Sequence, residues 1–240
     1  MSTQAIGATE AEQLQRNIVV SHATSVGSPF SQEEARGTML MVLQNLGQGH
    51  SGVRLELLET LRGMLDRDLT PWMPREGSVG YLTPEAHLAR VVMGDGRAYW
   101  EGALLSGREA MARAGLSPLA LRAKEGLALI RGTTAVTALG AVALHDMLQA
   151  AKSADIIGSV SLEAQRGVIQ AMDTRAMGVR PHPEQAATAA NIRAMLKDSA
   201  VLATSRGAAC RMPCPCAASP SSTAPRRRCC ATPRPPSKSS

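Results

Sequence analysis

The chain has 240 residues, 44% of them hydrophobic and only 2% aromatic, enough for one domain, or part of a larger one, with a core of Leu, Ala, Val, Met and Ile. The net charge of +6 does not mark a nucleic-acid binder: from Ala208 onward six basic residues stand without an acid, while the residues before them balance twenty basic against twenty acidic groups. All five cysteines (Cys210, Cys214, Cys216, Cys229, Cys230) also lie in that tail, at spacings that fit no zinc site and with no His nearby, so no metal is expected.

In chain order, residues 9–22 read as a helix ending near Ser21-His22. Phe30-Ser31-Gln32-Glu33-Glu34 is a capping box, with Ser31 as N-cap, Glu34 three residues on and Phe30 as the staple. Met39, Leu40, Leu43 and Leu46 continue that helix, and Leu55, Leu58, Leu61 and Leu65 mark one face of the next, over 54–66. Pro71, Pro74, Gly77 and Gly80 make 67–82 a loop. Thr83-Pro84-Glu85 restarts a helix, with Thr83 as N-cap, and it runs to about Met93. After a Gly94-Asp95-Gly96 turn, 97–105 suit a short hairpin, and 106–114 a short helix stopped by Gly115, with Ser117-Pro118 capping another.

Residues 124–151 and 153–170 read as two long apolar helices, and 183–197 as a further one. The stretch 127–148 is interrupted by Arg131, by Thr and Gly, and by His145-Asp146, whereas a membrane span needs about 18 apolar residues with few charges. It therefore reads as a buried helix, with no membrane partner expected. The apolar cluster Ile18–Val20 is too short for a secretory leader, so the expected location is the cytoplasm. The body, 1–207, is mainly α. The tail, 208–240, is rich in Pro, Ser, Arg and Cys without apolar periodicity, and is expected to be disordered.

Five strings then stand out together: Leu14-Gln15-Arg16-Asn17-Ile18-Val19-Val20-Ser21-His22-Ala23, Gly49-His50-Ser51-Gly52-Val53-Arg54, Gly77-Ser78-Val79-Gly80, Lys124-Glu125-Gly126-Leu127-Ala128-Leu129-Ile130 and Arg180-Pro181-His182-Pro183-Glu184-Gln185. In this order and spacing they resemble the histidine/aromatic amino-acid ammonia-lyase family, over roughly residues 8–207. The resemblance implies a fragment of an all-helical architecture with a central helix bundle, a homotetramer with shared sites, and a small amino-acid substrate. The family's reaction eliminates the α-amine and a β-proton. It uses a methylidene-imidazolone electrophile (MIO) built from an Ala-Ser-Gly triad, a tyrosine base and an arginine that binds the substrate carboxylate.

The chain departs from that pattern. The family reads GSVG-ASG-DLAPLAH, but here Gly80 is followed directly by Tyr81-Leu82-Thr83-Pro84-Glu85-Ala86-His87, and no Ala-Ser-Gly occurs anywhere. No MIO cofactor is expected. Arg131 stands where the family has Asn near the cofactor, and its fork of donors suits a carboxylate or a sulfur oxyanion. Both changes fit an MIO-less branch resembling ergothionase, in which a quaternary ammonium already leaves as a neutral tertiary amine. The tail fits a shifted frame. Ala208–Ser221 can be back-translated so that a two-base shift reads RVQDALSLRCIPQ, the family's next segment, which holds its carboxylate-binding arginine.

The candidate catalytic residues are His22 and Tyr81, and the candidate substrate-binding residues are Ser78, Val79, Gly80 and Arg131. Each has a structural alternative: His22 as a helix-terminal ring satisfied by backbone, Tyr81 packed on the core, Gly77–Gly80 as a plain turn, and Arg131 paired with Glu125. His50, His87 and His145 read as structural, and His182 as part of a turn. The readings that remain are a C–N lyase fragment whose parent acts on histidine or a histidine-like amino acid, and which is itself inactive; an ergothionase-like eliminator of trimethylamine; and a non-catalytic remnant.

Overall fold

A computed structural model describes residues 7–77, 82–179 and 182–204. The expected boundary at Ala208 falls outside them. The described residues form two compact units that divide after Asp146.

In the first unit, α1 (Ala8–His22) leads into a short strand β1 (Val26–Pro29) and then α2 (Gln32–Gly47). The capping box before α2 is present: Ser31 Oγ accepts from the Glu34 N–H at 3.1 Å, and the Glu34 carboxylate accepts from the Ser31 N–H at 2.7 Å. Arg75 extends this cap. It pairs with Glu34 at 2.5 Å and lies 5.4 Å from the centre of the Phe30 ring. In α3 (Leu55–Asp66) the buried stripe is Leu57, Leu61 and Met64. The expected leucine face is rotated: Leu55 is exposed, and Leu58 and Leu65 are half-buried. Leu40 of α2 likewise faces solvent, while Met39, Val42 and Leu46 enter the core.

The segment read as loop carries two strands, β2 (Thr70–Pro71) and β3 (Pro74–Glu76). β3 pairs antiparallel with β1, and β2 joins the hairpin of β4 (Arg97–Trp100) and β5 (Ala103–Ser106) in a sheet of order β2-β4-β5. Strands this short pair through long-range partners that local periodicity does not reveal. α4 (Thr83–Val92) has Leu82, not Thr83, as its N-cap. Ser106 caps α5 (Gly107–Arg113) by accepting from the Glu109 N–H. No helix follows Ser117-Pro118; the chain runs irregularly there to α6 (Glu125–Ile130).

The two long helices expected over 124–170 are divided differently. The break falls at Arg131–Thr133, where Gly132 has φ 146°, and α7 runs unbroken through Ser153, over Thr134–Ala164. The first unit's core gathers Val19, Met39, Leu61, Leu88, Leu129 and Ile130 from α1, α2, α3, α4 and α6.

The second unit holds the later part of α7, a 3-10 turn (Ile169–Met172), α8 (Thr174–Gly178), α9 (Pro183–Met195) and α10 (Ala200–Thr204). Leu162, Ile192, Leu196 and Leu202 form its small core, and Asn191 donates to Asp155 at 2.8 Å. The apolar stretch read as a buried helix is mostly uncovered. The helical residues Glu125–Ala164 are long and apolar enough to cross a membrane by length and composition, and 22% of their most apolar window is buried. Leu144, Met147, Ile156, Ile157 and Val160 are all exposed.

Candidate active site

α1 is fixed against α6 through Gln15. Its buried side chain accepts from the Leu127 N–H at 3.2 Å. Gly126 permits that approach, since a β-carbon there would lie 2.8 Å from the Gln15 carbonyl oxygen. His22 sits half-buried in the last turn of α1. Its Nδ1 is 2.7 Å from the Ile18 carbonyl oxygen and 3.2 Å from Ser21 Oγ. A carbonyl only accepts, so the Ile18 contact requires the proton on Nδ1. In the neutral ring Nε2 is then an acceptor. The backbone alternative for His22 is thus seen at Nδ1, which the Ile18 carbonyl holds.

Just beyond α1, Thr24 and Ser25 meet the start of the glycine loop. A β-carbon on Gly77 (φ 99°) would lie 3.6 Å from Ser25 Cα. Ser78, Val79, Gly80 and Tyr81 lie outside the described residues. The chain is described again from Leu82, at φ 80° and ψ −52°, a conformation that costs a residue with a β-carbon about 1–3 kcal/mol. Buried hydroxyls without a partner among the described residues lie near both ends of the loop, Ser25 Oγ and Thr83 Oγ1. Only four residues separate Gly77 from Leu82, and none of them supplies Ala-Ser-Gly. The sequence at this position does not fit an MIO group.

Arg131 corrects the sequence reading in its premise. It does not lie inside a buried helix but ends α6 in an extended conformation, φ −91° and ψ 125°, and it is exposed in this chain. The helix stops there because Gly132 and the two threonines behind it release the backbone. The expected alternative partner, Glu125, is already taken. Arg54 donates to it from Nε at 2.9 Å, from its terminal nitrogen at 2.7 Å and from its own N–H at 3.1 Å, and the Arg122 N–H adds a bond at 2.8 Å. Burial alone pushes the Glu125 carboxyl up, but the hydrogen bonds from Arg54 and from the backbone of Arg122 and Arg54 hold it below the usual range. The same contact raises the Arg54 guanidinium further.

His87, read as structural, is buried on α4. Burial, with Arg90 and Arg97 nearby, lowers its pKa to about 4, so it is neutral near pH 7. It meets the edge of Trp72 at 6.2 Å between ring centres, and Arg97 covers Trp72 at 3.7 Å. His50 and His145 are exposed, and His182 is the N-cap of α9.

Two functional-looking carboxylates escaped sequence reasoning. Glu125 was read within a string and as a possible partner of Arg131, but its actual partner, Arg54, lies 71 residues away. Glu85 looked like a first-turn helix acid but is wholly buried; its Oε1 accepts from Thr134 Oγ1 at 2.7 Å and from the Ala135 N–H at 3.0 Å. A signal was available in its position, an acid amid Ala86, Leu88 and Ala89 on a helix that is buried nearly all round.

The profile described as aromatic amino acid lyase matches residues 1–221. A histidine ammonia-lyase from Alkaliphilus metalliredigens is 46% identical over 204 residues, 84% of this chain and 40% of that protein. One from Sorangium cellulosum is 50% identical over 192 residues, 79% of this chain and 37% of that protein. The crystal structure of histidine ammonia-lyase from Trypanosoma cruzi matches with a TM-score of 0.77 at 33% identity, covering 85% of this chain and 41% of that one. That of ergothionase from Treponema denticola, in complex with desmethyl-ergothioneine sulfonic acid, matches with a TM-score of 0.74 at 26% identity, over 79% of this chain and 39% of that one. The chain thus spans about 40% of the length of the curated relatives it matches.

Proposed function

We propose that this chain, which belongs to the aromatic amino acid lyase family, is part of a carbon–nitrogen lyase that eliminates an amine from histidine or a histidine-like amino acid. What carries the reading is the match to histidine ammonia-lyases along most of the chain. In such an elimination a base removes the β-proton, the electron pair becomes the Cα=Cβ bond, and the amine leaves with the C–N pair. His22, with Nδ1 committed to Ile18, offers Nε2 as a proton acceptor. Tyr81 is the second candidate base, and Ser78, Val79 and Gly80 the loop that lines the substrate. Arg131, exposed and at the end of α6, is the candidate binder of the substrate's anionic group.

A second reading is favoured by one observation, the direct passage from Gly80 to Tyr81 without the triad. With no MIO to capture the amine, the substrate suited to this chain carries a better leaving group. A trimethylammonium betaine of a thiol-histidine leaves as neutral trimethylamine. The likeness to ergothionase supports this branch. We further propose that this chain alone does not turn over substrate, a non-catalytic remnant being the limiting case, and that its last part, from about Ala208, is an out-of-frame reading. The apolar face of α7 supports assembly as a homo-oligomer, a tetramer by resemblance; a cytoplasmic location without a membrane partner is proposed on the family resemblance alone.

The test is product identity. A full-length parent carrying this sequence is incubated with histidine and with the trimethylated thiol-histidine. Release of ammonia or of trimethylamine supports the lyase reading and chooses between its branches. Release of neither overturns it. Sequencing the gene across the Ala208 codon tests the frame.

A further inference from the structure

We infer that Glu85 is a positioning residue: its carboxylate ties the break between α6 and α7 to α4, and so sets where Arg131 stands. Glu85 is fully buried, yet among the described residues no Lys or Arg pairs with it. A carboxylate in such a place is unfavourable for packing, and an apolar side chain of similar size would fill the space. Its position is explained by what it grips. Oε1 takes two donors from the first turn of α7, Thr134 Oγ1 at 2.7 Å and the Ala135 N–H at 3.0 Å. Oε2 is buried without a partner among the described residues, so the polar contacts of this side chain there are those to the first turn of α7.

The gripped turn directly follows Arg131, Gly132 and Thr133. Gly132 at φ 146° is a conformation in which the chain has many alternatives, and a β-carbon there would meet nothing closer than 3.5 Å. The break is therefore not held by its own sterics. Besides the docking of α6 on α1 and α4 upstream of it, the Glu85 contact is the polar tie that fixes its downstream side. On the other side, α4 begins at Leu82, held in a strained backbone conformation immediately after the glycine loop. One carboxylate thus ties the turn that follows Arg131 to the helix capped by Leu82. The consequence for substrate rests on the reading of Arg131 given above; the tie itself does not.

Hydrogen exchange read by mass spectrometry on the full chain tests the tie without any substrate. In Glu85→Leu, exchange across residues 131–137 should rise about tenfold, the loss of two hydrogen bonds, while residues 32–66 stay at the wild-type rate. Glu85→Gln retains a carbonyl acceptor for both donors and should stay within about threefold of wild type. Thr134→Val removes one donor and leaves the carboxylate in place. It should give an intermediate local rise, and it decides the matter if Glu85→Leu does not fold. Unchanged exchange over 131–137 in Thr134→Val and in any folded Glu85→Leu overturns the inference. So does a rise in Glu85→Gln as large as in Glu85→Leu, or a rise spread evenly through residues 7–146. If the tie holds but substitution of Arg131 leaves the parent enzyme's KM unchanged, the Arg131 reading fails and the tie stands.

Discussion

Replacing Glu125 with Ala probes how the first unit is held together. The change removes four hydrogen bonds at once: two from the Arg54 side chain, one from its N–H and one from the Arg122 N–H. Breaking a buried pair from one side costs about 3–5 kcal/mol, because the remaining charge is left without its partner. Arg54 keeps a quarter of its side chain exposed and still donates to the Ala120 carbonyl at 2.8 Å. The lower end therefore applies, about 3 kcal/mol. The assay is urea unfolding followed by tryptophan fluorescence. Both tryptophans, Trp72 and Trp100, lie in the first unit, so the signal reports that unit alone. Arg54→Met in the Glu125→Ala background should recover part of the loss, with a coupling of about 1–3 kcal/mol. A loss below about 1 kcal/mol in Glu125→Ala, the range of surface pairs, would refute the claim that this ion pair is structural.

His87 gives a pH signature. Its folded pKa, about 4, lies below the ordinary 6.5, so the unfolded chain binds the proton first. Stability should fall as pH drops below 6.5 and level off near 4, by at most about 3 kcal/mol, and His87→Leu should flatten that window in the same fluorescence assay. The depressed Glu125 acts lower: its stabilisation is present above the usual carboxylate pKa and is lost as pH falls through its folded value. Gly126→Ala should press a β-carbon onto the Gln15 carbonyl, cost about 1–3 kcal/mol, and speed exchange along α1; wild-type exchange there would contradict the docking described. Ser31→Ala should cost about 1 kcal/mol, read as a shift in the urea midpoint.

The helices were legible where sequence carries its own stop and start signals. Ser31 and Glu34 announced α2, the Gly94-Asp95-Gly96 turn preceded the hairpin, and the helix read over 183–197 is α9. Faces were less legible: α3 buries Leu57 and Met64 because its neighbours lie on that side, and leucine spacing alone pointed to Leu55. The break at Arg131 was hidden by the apolar residues on both sides, which keep a helical period across a backbone that stops being helical. That error carried a second one, since Arg131 was expected to be buried and is exposed. Partners distant in sequence, Arg54 with Glu125 and Glu85 with Thr134, could not be paired from local pattern, although the apolar neighbours of Glu85 hinted at its burial. Of the candidate site, His22 and Arg131 are placed, while Ser78 to Tyr81 lie outside the described residues.

The claim on which the chemistry turns is that this chain builds no backbone electrophile between Gly77 and Leu82. Trypsin should release residues 76–90 as one peptide, bounded by cleavage after Arg75 and Arg90. Its mass in the purified protein is the direct test. The expected mass is the one encoded by the sequence, unchanged by borohydride. A peptide lighter by two waters, or one labelled by borohydride, would contradict it.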